Sequence, residues 1–107
     1  MTDITKPYLG EYECKQVLLG QEDCLKNFTN ITLELKPKNQ FILSYKAKDE
    51  KKRTIKGNYE YDDEKELVTL KSEEMQGIKR SFPLKGGTLY ITLPVGEKTL
   101  SMRFEKK

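Results

Sequence analysis

Arg80 is the residue of this 107-residue chain whose position most demands a chemical explanation. In the run Ile78 to Leu84 it shares a parity with Ile78, Phe82 and Leu84, so a strand there turns a guanidinium to the apolar side. A buried charge is costly unless it meets a carboxylate, another anion or several hydroxyls and carbonyls. Gln16, Tyr45, Tyr59 and Tyr61 fall on the inward parity of their own segments and would supply polar company. Together these five residues describe a site for a small acid, such as a fatty acid, held by Arg80 and one or two tyrosines. The competing expectation places Arg80 at a rim, reaching water along its aliphatic stem and stacked on an aromatic ring.

Little else in the chain offers chemistry. The absence of His removes the commonest general base and metal ligand. No phosphate-binding loop, G-x-S-x-G or paired C-x-x-C is present, and no nucleophile and base can be matched, so the expectation is a non-enzymatic protein without metal or cofactor. Cys14 and Cys24 are the only thiols, too few for a zinc site. In an oxidising compartment they would close a loop of about ten residues, adding roughly 2–3 kcal/mol. In a reducing one they are a buried small hydrophobe and a loop thiol. Asp62-Asp63-Glu64 lacks the spaced ligands of a calcium loop and reads as a solvated turn. Asn27-Phe28-Thr29 and Asn30-Ile31-Thr32 fit the N-x-[ST] acceptor, a triplet that polar loops also produce by chance.

The elements that would position these residues are legible as alternation. Ile55, Gly57, Tyr59 and Tyr61 oppose Lys56, Asn58 and Glu60, and after the acidic turn Val68 and Leu70 oppose Thr69 and Lys71. The same period runs through Gly10–Leu19, with Tyr12, Cys14, Gln16 and Leu18 on one side. It recurs in Ile31–Lys36, Gln40–Lys46, Ile78–Leu84, Thr88–Leu93 and Thr99–Glu105. Pro37-Lys38-Asn39, Lys85-Gly86-Gly87 and Pro94 to Lys98 punctuate the strands. Gly20 to Asn30 has no clean period and reads as a turn plus a short helical piece, with Leu25 and Phe28 capping the core. Pro83 marks its strand as poorly paired near one end.

Only 36% of the chain is apolar and 35% is charged, a composition that a one-sided strand pattern uses economically. The net charge of +3 is spread along the chain, which gives no footprint for nucleic acid, and no run is long enough to be a transmembrane helix. About eight short strands with short links point to an all-β fold, an antiparallel up-and-down meander closed into a small barrel over residues 8–105 behind a short lead-in at 1–7. The location stays open between the cell envelope or exterior, as a mature domain lacking its leader, and the cytoplasm.

Gly10-Glu11-Tyr12 resembles the G-x-W opening of lipocalins, with Tyr in place of Trp. The succession of G-x-Y, L-x-L before a polar turn, K-G-x-Y with an acidic turn, and a closing apolar strand is similar to small bacterial lipocalin-like (calycin) domains. That resemblance implies a lipocalin-like barrel binding a small apolar or amphipathic ligand in or at the mouth of its cup. The residues themselves hold a second expectation open. Tyr12, Phe41, Tyr45, Tyr59, Tyr61, Phe82 and Phe104 all point inward and would leave at most a shallow cup. The protein would then be an interaction or structural domain, and a cluster among the outward Val17, Leu19, Ile42, Leu67 and Tyr90 would mark contact with a protein partner.

Overall fold

The computed structural model describes residues 8–72 and 78–107; the lead-in expected at 1–7 and the loop at 73–77 lie outside the described residues. The strands are β1 (Gly10–Leu19), β2 (Glu22–Asp23), β3 (Phe28–Lys36), β4 (Gln40–Ala47) and β5 (Arg53–Asp62). They continue as β6 (Leu67–Ser72), β7 (Ile78–Lys85), β8 (Thr88–Val95) and β9 (Lys98–Lys106). From β3 onward each strand pairs antiparallel with the next, β1 pairs with β3, and β9 returns to β1. The result is a closed eight-stranded antiparallel meander barrel, with the two-residue β2 added beside β1. Among the described residues there is no α-helix, and no helix is long and apolar enough to cross a membrane.

The alternation decides which side chains meet. Leu33 lies opposite Leu43, Leu35 opposite Phe41, Tyr59 opposite Leu70, and Val68 opposite Phe82. Leu89, Ile91 and Leu93 face Phe104, Met102 and Leu100 across the last hairpin. The turns follow from local chemistry. Gly86 and Gly87 both take positive φ, 56° and 80°, the pattern of the two-residue turn whose twist suits a hairpin. Leu25–Asn27 forms the expected short helical piece, a single 3-10 turn.

Strand β5 passes under an aromatic ring at Gly57. Phe41 packs where a Cβ would stand, 2.7 Å from its nearest ring carbon, and the Lys71 carbonyl oxygen closes the same space from the other side. Backbone cannot yield there as a flexible side chain would. Gly57→Ala is therefore expected to cost about 1–3 kcal/mol through overpacking, read as a lower urea midpoint. An unchanged midpoint would contradict the packing described.

Candidate functional site

Two local devices decide where the candidate residues end up. The first is a bulge in β1. Cys14 pairs with Phe104 and Gln16 with Arg103, so Lys15 is an extra residue and the parity of β1 flips beyond it. Gln16, expected inside, is exposed, and Val17, expected outside, is 2% exposed within the core. Alternation read across an unseen bulge gives the wrong face from that point on. A run apolar on both sides, Val17-Leu18-Leu19, was the one sign of it.

The second is a tyrosine seal at one end of the barrel. Tyr12 is fully buried and its hydroxyl donates to the Tyr8 carbonyl at 2.7 Å, while the Tyr59 hydroxyl donates to the Lys36 carbonyl at 2.9 Å. The Tyr8 ring lies 4.5 Å from that of Tyr61 and meets Tyr59 edge-on at 6.0 Å. Burial raises the Tyr12 hydroxyl to about 12, helped by the neighbouring Tyr61. Burial likewise raises Tyr59 to about 12, with Tyr8 and Tyr12 adding to it. These phenols have spent their protons on carbonyls and are not poised toward a ligand.

Tyr45 lies elsewhere. It is half-buried, its ring 6.5 Å from Phe28, and Leu43, Ile55, Leu93 and Leu100 are likewise half-buried and packed against the core. The space lined by Phe41, Leu70, Phe82, Ile91, Leu93 and Met102 is about 30 Å³. That is room for about two water molecules, and far below a typical ligand pocket. Arg80 pairs with Leu70 and so keeps its inward register, yet the residue is exposed. The five residues expected to converge on a small acid are thus dispersed: Gln16 outside, Tyr59 and Tyr61 in the seal, Tyr45 near Phe28, Arg80 in water.

The outward apolar residues do not cluster as a group either. Val17 is inside, Ile42 lies between Glu34 and Lys56, and Leu67 lies between Asp62 and Pro83. Tyr90 is 49% exposed and stands beside Arg103. Both cysteines are free thiols. Cys14 Sγ donates to the Gln16 carbonyl at 3.3 Å inside the bulge, and Cys24 Sγ contacts the Glu22 carbonyl at 3.7 Å. Burial pushes the Cys14 thiol up.

Sequence reasoning foresaw a weak strand at Pro83 but not its consequence for the wall. The β7–β8 ladder consists of Lys85 with Thr88 and Leu84 with Leu89, and ends there, although both strands run on. Hydrogen-bonded and non-bonded pairs alternate along an antiparallel ladder, so after the Lys85–Thr88 pair the next bonded pair would be Pro83 with Tyr90. Leu84 N–H indeed points the other way, to the Glu66 carbonyl at 2.9 Å. Pro83 has no N–H to give, so the Tyr90 carbonyl loses its donor, while the Tyr90 N–H and the Pro83 carbonyl close the far side of the Leu84–Leu89 pair. The parting of β1 from β3 above Glu13 is filled by the chain itself: β2 pairs with Leu18 and Leu19, and Cys24 N–H donates to the Val17 carbonyl at 2.8 Å.

Comparison with protein-family models, with curated proteins and with solved structures returns no match. The chain is a closed antiparallel β-barrel, and its role has to be argued from its own surfaces.

Two outcomes test this geometry. A folded-state pKa raised above the unfolded value of 10.0 means that the unfolded chain loses the phenol proton first. The stability contributed by Tyr12 and Tyr59 is therefore intact below pH 10 and declines as pH rises toward 12. A phenolate absorbance titration should show two tyrosines ionising last, together with loss of structure; early titration of all six would refute the seal. With a thiol reagent, Cys24 should react before Cys14, and reduction should leave the mass of the native protein unchanged.

Proposed function

We propose that this barrel is a non-enzymatic interaction module that engages another polypeptide through its wall, the packed interior serving as support. The observation that carries the reading is the dispersal of the polar groups a small acid would need, around a space of about 30 Å³. A second, lipocalin-like reading has one observation in its favour. Leu43, Tyr45, Ile55, Leu93 and Leu100 are half-buried and would offer an apolar or amphipathic ligand surface, with exposed Arg80 available to its anionic end.

Titration with a fluorescent fatty acid separates the two. The wall-acting reading expects no saturable response, and native mass spectrometry of protein purified without denaturation should show no bound small molecule. Saturable fatty-acid binding that Arg80→Ala weakens would overturn it in favour of the lipocalin-like reading.

A further inference from the structure

We infer that a cleft where β1 parts from β3 is the socket for one apolar side chain of the partner polypeptide, carried beside a carboxylate. This rests on the wall-acting reading and goes beyond it by naming the place and the partner chemistry. The segment that fills the parting does so from Val17 onward, where the Cys24 N–H meets the Val17 carbonyl and β2 pairs with Leu18 and Leu19. Short of it, Glu13 and Cys14 of β1, Leu25 of the 3-10 turn and residues 28–31 of β3 line a cleft of about 200 Å³, against about 30 Å³ for the space within the barrel.

Two bulges shape this cleft. Lys15 is surplus in the β1–β9 ladder, and Thr29 is surplus in the β3–β4 ladder, since Phe28 pairs with Ala47 and Asn30 with Lys46. An extra residue bends the strand that carries it, a device that recurs beside functional sites. The β1–β3 ladder ends at Glu13 with Thr32, so both strands bend just beyond their last shared pair. The floor between them is apolar and held in place. Cys14 and Ile31 belong to the core, 7% exposed each, and Leu25 and Phe28 are half-buried and packed against it. The Cys14 thiol proton is directed to the Gln16 carbonyl. Such a floor needs no reordering to receive a side chain, which is how the anchors of protein interfaces are seated. The volume falls below the ~300–1,000 Å³ of small-molecule sites and suits a single residue of a polypeptide.

Charge at the lip selects what stands next to the anchor. On the β1 side the Glu13 carboxylate is held by Lys15 at 2.8 Å. The Asp23 carboxylate is turned to the Leu25 N–H at 3.0 Å. On the β3 side Lys26 follows Leu25 and Lys46 stands opposite Asn30, and neither makes an ion pair with a described residue. A carboxylate beside the anchor complements these two ammonium groups. Thr29 and Asn30 are exposed there and offer hydrogen bonds to the partner's main chain.

The test uses short end-capped peptides with a central Leu flanked by Glu, their counterparts with Lys for Glu, and versions with Ala for Leu, read by amide and methyl shifts of the intact protein. The Leu–Glu peptides should produce saturable shifts at Cys14, Leu25 and residues 28–31. Ala for Leu should weaken binding about tenfold, and Lys for Glu about threefold. The exposed-face double variant Lys26→Glu with Lys46→Glu should reverse the preference from Glu to Lys. Shifts confined to other strands, binding indifferent to the loss of Leu, or no response to any peptide at millimolar concentration would overturn the socket while leaving a wall-acting module intact. Saturable fatty-acid binding in the absence of any peptide response would overturn both.

Discussion

Everything in this protein depends on the first strand meeting the last. A row of short strands with one apolar face cannot hide that face by itself, and its two outer margins would each present a line of unpaired peptide groups. The β1–β9 ladder, running from Tyr12 with Lys106 to Leu19 with Leu100, removes both margins at once. It also turns eight half-buried ribbons into the wall of one apolar space containing Tyr12, Leu33, Phe41, Tyr59, Val68, Leu89 and Phe104. The bulge at Lys15 belongs to this closure, since an extra residue bends and twists the strand that must change neighbours from β3 to β2 along its length.

Inside, size is balanced against absence. Five buried aromatic rings fit because Gly57 gives up its side chain to Phe41 and because the tyrosine hydroxyls find carbonyls at the sealed end. The same economy governs Ser72, a buried polar residue whose hydroxyl donates to the Lys56 carbonyl at 2.8 Å. The exterior contributes little by comparison. The Lys15–Glu13 and Lys107–Glu11 pairs at 2.8 Å are solvated contacts of the kind worth at most about 1 kcal/mol each.

Most of the fold was legible because strand parity is a local property. The facing sets Leu89, Ile91, Leu93 and Leu100, Met102, Phe104 can be read from residue order, and the turn at Gly86-Gly87 from its two glycines. Features that depend on what a neighbour does were not. Nothing local announces that Lys15 is surplus to a ladder formed with residues almost ninety positions away, so Gln16 and Val17 exchanged faces. The two-residue β2 exists only because β1 has left β3 at that point. Arg80 was correctly assigned a register, whereas its exposure depends on neighbours that residue order does not specify. Pro83 did announce the short β7–β8 ladder, but only as a defect in one strand.

The interrupted β7–β8 ladder also makes the barrel mechanically uneven. Around its circumference most neighbours are stitched along much of their length, whereas the C-terminal hairpin is fastened on one flank by β1 and on the other by two residue pairs next to a glycine turn. The strand pair with the fewest cross-strand residues has the least to lose on local opening, which puts that seam at the low-stability end of the wall.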